Sequence, residues 1–287
     1  MASRMNKCKK SREEFLAALE LCLQQQAIPR EAAILVVGGG PGDAEVLARA
    51  GFQSFQMSNL LGEILRSGED GLQPSNSTTP LDAEDLTLPD ESYDLVFAHE
   101  VLHHCRSPHR ALCEMLRVSR EFVIFQEPND SLIMRVLTFL RFSFPYELPA
   151  VIDNGYTAGG VRDSQIPNYI YRWNGREVFK CVSSFLAERA FSVYAYPYWD
   201  FNATERHLDL RRETRIRHLT GILGARTFLR VLRLGQRVLN GSLITRRQGN
   251  KFFCCIAKHG QLKPWLKWED HQIVFDRDYS SRAEAVR

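Results

Sequence analysis

Four groups of residues in this chain have the types and spacing to do chemistry. The first is Leu35-Val36-Val37-Gly38-Gly39-Gly40-Pro41-Gly42-Asp43, an apolar run that ends in four glycines and a carboxylate. Glycines packed so densely after a strand let a backbone approach a ligand closely. A dinucleotide fingerprint, G-x-G-x-x-G, would need a third glycine where Asp43 stands, and a phosphate loop would need a terminal Gly-Lys-Ser/Thr that is missing. The second group is Asp82-Ala83-Glu84. The third is Glu100-Val101-Leu102-His103-His104-Cys105, whose imidazoles titrate near pH 6.5 and suit general-base work. Packing or capping under the next helix is the alternative for His104. The fourth is Glu127, which closes an apolar strand and could orient a substrate hydroxyl or form a salt bridge within the segment that follows. Two adjacent histidines point in different directions, and no Cys-x-x-Cys accompanies them, so no metal is expected.

The elements that must position these groups can be read from hydrophobic spacing. Ser11 and Glu14 form a capping-box pattern. After it Phe15, Leu16, Leu19, Cys22 and Leu23 recur at helical spacing up to Pro29. Ala33 to Val37 is a buried-type strand, Ala44 to Ala50 a helix stopped by Gly51, and Phe52 to Ser58 a second strand. A helical turn is expected over 60–65 and a loop over 67–80. Tyr93 to Ala98 is a strand, Ser107-Pro108 starts a helix, and Glu121 to Gln126 is another strand. Helix Arg176 to Ala190, strand Phe191 to Tyr198, one or two amphipathic helices over 203–240 and strand Lys251 to Lys258 complete the pattern. Such alternation means an α/β fold, a mostly parallel sheet with helices on both faces.

Bulk properties agree with one elaborated domain. The chain has 287 residues, 44% of them hydrophobic and 25% charged, with a formal charge of +3. That charge is too mild to demand a polyanionic partner. The seven cysteines read as reduced, mostly buried thiols of a cytoplasmic protein. No segment approaches the roughly 18 apolar residues of a membrane span.

From Asp82 to Asn129 the matches become specific: an acidic turn, a proline loop, a strand opening on Tyr93-Asp94, Leu102-His103-His104, a Ser-Pro helix start, Glu114-x-x-Arg117-Val118 and a strand ending Glu127-Pro128. With the Gly38-x-Gly40-x-Gly42 turn, this resembles the class I S-adenosylmethionine-dependent methyltransferases, in their small-molecule (type 11-like) branch. The resemblance implies a Rossmann-like doubly wound seven-stranded sheet with an antiparallel last strand and helical insertions. It also implies S-adenosylmethionine as cofactor. Gly38, Gly40 and Gly42 would let the backbone touch it, with Asp43 near its amino group or orienting the turn. Asp82 would accept from the adenine amine, Ala83 and Glu84 would line the adenine pocket, and His99 would lie beside the cofactor through its main chain. One departure stands out. The family usually ends its second strand in an acid that holds the ribose hydroxyls, and here the place falls on Ser58 or Asn59.

The domain plan that follows is an amphipathic lead-in helix over 1–30, a methyltransferase domain over 31–260 with insertions at about 130–170 and 200–249, and a tail over 261–287. The expected activity is transfer of a methyl group to a small organic acceptor, at oxygen, with His103, His104 and Glu127 as the candidate catalytic residues. The first insertion carries Phe139, Phe142, Phe144, Tyr146, Tyr156, Tyr169 and Tyr171, enough aromatic surface to roof an acceptor. The second holds 11 arginines between Arg206 and Arg247 against Asp209 and Glu213. A solvated face, an anionic membrane or RNA could each account for them. No RNA-recognition motif accompanies them, and nucleic acid is not the expected partner. Two further readings are an RNA methyltransferase and a non-catalytic scaffold of the same fold.

Overall fold

The computed structural model describes residues 13–60, 78–201, 208 and 215–279. The expected capping box at Ser11, the helical turn after Leu60, most of the 67–80 loop and most of 203–214 lie outside the described residues.

Helix α1 (Glu13–Gln25) leads into β1 (Ile34–Val37), the glycine turn and α2 (Pro41–Arg49). Then come β2 (Gln56–Ser58), β3 (Thr78–Thr79), β4 (Tyr93–His99), a 3-10 turn (Leu102–His104), α3 (Pro108–Val118) and β5 (Ser119–Pro128). The first insertion holds α4 (Leu132–Phe139), α5 (Leu148–Asp153) and a short turn (Val161–Asp163). Helix α6 (Gly175–Phe185) and β6 (Arg189–Tyr198) follow. The second insertion holds α7 (Ile216–Leu223), α8 (Ala225–Gly241) and α9 (Leu243–Arg246). β7 (Lys251–Leu262) and a hairpin of β8 (Leu266–Glu269) and β9 (Gln272–Phe275) complete the chain.

Seven strands form one sheet in the order β3-β2-β1-β4-β5-β7-β6. Every pair from β3 to β5 is parallel, while β7 runs antiparallel to both β5 and β6. The expected fold class is therefore the observed one. Side-chain alternation builds a core on each face. Ile34, Val36, Leu95, Phe97, Ile124 and Phe253 face α1, whose Phe15, Leu19 and Leu23 cover them. Leu35, Val37, Val96, Ala98, Val123 and Phe125 face α3 and α6 through Leu112, Met115, Leu116, Val178 and Val182. Each large side chain so buried contributes about 2 kcal/mol.

Some boundaries differ for local reasons. Helix α2 begins at Pro41, earlier than Ala44, because proline fits the first helical position and the Asp43 carboxylate accepts from the Gly40 amide at 2.8 Å. β2 is shorter than 52–58, since Phe52 and Phe55 turn into the α1-side core before pairing starts at Gln56. β7 runs on to Leu262, and the tail makes its own hairpin, in which Trp268 and Phe275 stay exposed. The described cysteines, Cys22, Cys105, Cys113, Cys181, Cys254 and Cys255, are all free thiols.

Candidate active site

Parallel strands bring the candidate residues to one edge. The strand order reverses between the parallel neighbours β1 and β4, which opens a crevice beyond their carboxyl ends, the usual ligand position in a doubly wound sheet. A cavity of about 330 Å³ sits there, walled by Gly38, Asn59, Asp82, Ala83, Glu84 and His99, with Glu100, Val101, His104 and Cys105 beside them. That volume is at the lower end of the range for ligand cavities.

Gly38 has φ +63, and a Cβ placed on it would lie 2.6 Å from a Val101 methyl. The position needs glycine for its backbone and for its packing. Gly40 is the N-cap of α2, and a Cβ there would meet nothing nearer than Asp43 Oδ2 at 3.8 Å. Gly42 lies inside the first turn of α2. Neither Gly40 nor Gly42 lines the cavity.

Asp43 is buried and orients the turn: Oδ2 accepts from the Gly40 amide and Oδ1 lies 2.8 Å from His99 Nδ1. The His99 ring stacks on Phe15 of α1, centroids 4.4 Å apart, so the lead-in helix braces the cavity floor. Ser58 is fully buried and its hydroxyl donates to the Val36 carbonyl at 3.2 Å, away from the cavity. Of the two candidates for the ribose position, only Asn59 lines the cavity.

Asp82 Oδ1 accepts from the Glu84 amide at 3.0 Å, and Oδ2 pairs with Arg162 at 2.9 Å. Arg162 also reaches Glu84 at 3.3 Å, while the other Glu84 oxygen accepts from the Ser107 amide at the start of α3. The acid implied for the adenine amine is thus already engaged by an arginine from the first insertion. Arg162 sits at φ +52, a left-handed conformation that costs a non-glycine residue about 1 kcal/mol.

Glu127 is completely buried. Its Oε1 accepts from the amides of Val101 at 2.8 Å and Leu102 at 2.6 Å, satisfying the open end of the 3-10 turn. Its Oε2 lies 2.5 Å from His103 Nδ1. Glu127 therefore shapes the loop after β4 and does not reach the cavity. Neither does His103, whose Nε2 faces Glu147 at 3.5 Å. His104 does line the cavity; its Nε2 is also 3.5 Å from Glu147, and Asn168 bonds its Nδ1.

The two neighbouring imidazoles are driven apart. For His103, burial alone lowers the pKa, but the charge and hydrogen bond of Glu127, with Glu147 behind them, overrule it and hold the ring up to about 10. For His104, burial and then the adjacent His103 charge push the pKa below its ordinary value. At neutral pH this leaves an imidazolium at 103 and a neutral ring at 104. The spacing of His103, His104 and Glu147 could also admit a metal ion. The His103 imidazolium between two carboxylates already supplies the positive charge there.

Glu147, Asn168, Arg162 and Gly160 come from the first insertion and carry no motif that would single them out. The aromatic residues expected to roof an acceptor are absent from the cavity wall; Tyr169 and Tyr171 line a separate hollow of about 410 Å³ beside Arg172.

A doubly wound sheet with a glycine turn and a crevice beyond its strand ends is an arrangement suited to a nucleoside-bearing ligand. Residues 37–124 match the family model described as a methyltransferase domain. No curated protein matches the chain. Among solved structures it is similar to a methyltransferase from Thermotoga maritima described as a possible histamine N-methyltransferase (13% identity, 84% of this chain and 88% of that one, TM-score 0.43). It is similar also to the YcgJ protein of Bacillus subtilis (14%, 85% and 99%, 0.47). A third is phosphoethanolamine N-methyltransferase 2 of Haemonchus contortus with S-adenosylhomocysteine bound (12%, 85% and 53%, 0.45). The cavity wall offers a glycine backbone, apolar Leu81 and Ala83, an amide at Asn59 and a carboxylate at Asp82, a set of groups that would suit an adenosine moiety.

Proposed function

We propose that the chain transfers a methyl group from S-adenosylmethionine to an oxygen of a small organic acceptor, with His104 as the group that takes the acceptor's proton. The cofactor, when bound, supplies a sulfonium methyl that moves to the acceptor by direct displacement, leaving a neutral thioether. Gly38, Asn59, Asp82, Ala83, Glu84 and His99 hold it, and Gly40, Gly42, Asp43 and Ser58 shape the turn and strand behind them. Glu127 and His103 act as positioning residues: they fix the loop that carries His104.

One observation carries the reading: His104 lines the cavity with its ring centroid 4.5 Å from that of His103, whose Nδ1 is held 2.5 Å from the Glu127 carboxylate. A base must be unprotonated at working pH, and of the two adjacent histidines His104 is the one whose pKa is pushed down. The Asn168 side-chain amide nitrogen lies against its Nδ1 and also donates to Glu147 Oε2 at 3.1 Å, which fixes the ring's orientation on the wall.

Release of S-adenosylhomocysteine is measured over a panel of phenols, hydroxy acids and amines, and calorimetry follows cofactor binding. His104→Gln should cut turnover of the best oxygen acceptor by about 100-fold or more and leave cofactor affinity intact. Unchanged turnover would remove the base, and a panel in which amines alone are methylated would remove oxygen as the acceptor atom. Absence of cofactor heat would favour a scaffold of the same fold.

A further inference from the structure

No helix among the described residues is long and apolar enough to cross a membrane, yet one segment sets exposed apolar and basic rows side by side. Between Arg215 and Asn250 the sequence has eight arginines and no Asp or Glu. Helix α8 divides these residues into three sectors. Phe228 and Leu229 turn into the protein. Val231, Leu234 and Val238, spaced by three and four, form a stripe on the outside, with Leu234 63% and Val238 67% exposed. Arg226, Arg230, Arg233 and Arg237 recur at the same spacing along its flank, all on the exposed side. Ile222 before the helix and Ile244 after it are exposed by 80% and 82%. Isolated apolar residues at a surface are ordinary, whereas a continuous stripe of them marks a contact.

We propose that α7 to α9 form a docking surface for an anionic lipid bilayer. Charge complementarity selects this occupant. A second copy of the chain would bring its own four-arginine row against this one, a like-charge contact. RNA would neutralise the arginines and leave the apolar stripe in water. A bilayer with anionic headgroups meets both, guanidinium groups at the phosphates and the apolar side chains at the acyl boundary.

The surface adjoins the cavity. Ser131, at the start of α4, donates to the Gln248 carbonyl at 2.9 Å, and the Arg215 amide donates to Arg141 just beyond α4 at 3.1 Å. Helix α4 is thereby stitched to both ends of the basic segment, and it adds exposed Leu132, Val136 and Phe139. Lys251, where the segment enters β7, pairs with Glu100 on the cavity wall. On the methyl-transfer reading, the acceptor is then an amphiphile drawn from the bilayer. Docking itself stands apart from that reading, because vesicle binding and cofactor binding are measured separately.

Tag-free full-length protein is co-sedimented with vesicles of phosphatidylcholine alone and of phosphatidylcholine with phosphatidylglycerol. Binding is expected only to the anionic vesicles and should weaken with added salt. Neutralising Arg230, Arg233 and Arg237 to Gln should reduce it on the order of 100-fold, about fivefold per arginine. Leu234→Ser with Val238→Ser should weaken it too, and both variants should keep the wild-type melting profile and cofactor heat. Absence of vesicle binding, equal binding to neutral vesicles, or wild-type binding by both variants would overturn the proposal. So would a dimer lost in the Ser double variant without lipid binding, or RNA binding that depends on the arginines and not on the apolar stripe.

Discussion

Replacing Glu127 by Gln isolates the charge that organises the site. The side chain is fully buried, and its amide oxygen can still accept from the Val101 and Leu102 amides, so shape and two hydrogen bonds survive. What disappears is the negative charge 2.5 Å from His103 Nδ1. His103 is held up to about 10 from an ordinary 6.5. That difference corresponds to roughly 5 kcal/mol of preference for the imidazolium in the folded state. Because the folded value lies above the unfolded one, the stabilisation is fully present below about pH 6.5 and is lost as pH rises through about 10. In the variant only Glu147 remains to hold the charge, while burial still opposes it. Glu127→Gln should therefore be about 3 kcal/mol less stable at pH 6.5, the usual cost of breaking one side of a buried pair. The gap to wild type should close as pH approaches 10. Urea unfolding followed by tryptophan fluorescence across that range gives both curves. Two parallel curves, offset by a constant amount at every pH, would refute the assignment of the charge to the Glu127–His103 pair.

Asn59→Asp restores an acid at the position expected to face the ribose, and replacing a neutral hydrogen bond with a charged one should tighten S-adenosylmethionine about fivefold by calorimetry; weaker binding would move the ribose elsewhere. Gly38→Ala should cost stability and cofactor affinity together, since it combines a left-handed backbone with a 2.6 Å approach to Val101, whereas Gly40→Ala should be tolerated in both assays. Arg162→Gln should release the Asp82 carboxylate and strengthen cofactor binding severalfold; a loss of affinity would make Arg162 part of the binding set.

Much of the fold was legible because its rules are local. Val36 and Val37 face opposite cores simply because strand side chains alternate, and Ser107-Pro108 starts α3 because proline suits the first helical position. The cavity was legible where it rests on strand ends: Gly38, Asp82 and His99 follow from the position of the turns after β1, β3 and β4. Phe15 could be read from its spacing as a core residue, but not as the ring on which His99 stacks, since that contact joins residues 84 apart in the chain. Glu147, Arg162 and Asn168 were illegible for the same reason. Each lies in an irregular insertion, where periodicity says nothing about which way a side chain points.

The pairing of the two histidines shows what such distant residues decide. In the sequence, His103 and His104 are both candidates for the base, with packing or capping under the next helix as the alternative for His104. The fold separates them by handing the Glu127 carboxylate to Nδ1 of His103 and not to His104. Once His103 carries a charge, its neighbour is pressed toward neutrality, so the protonation of one ring sets the availability of the other. Glu127→Gln should thus act on catalysis through His104: loss of the His103 imidazolium, which pushes the His104 pKa down, outweighs loss of the smaller upward pull of the Glu127 charge, so the acid limb of the turnover profile should move to higher pH. A loss of turnover with no displacement of that limb would assign Glu127 to loop geometry alone.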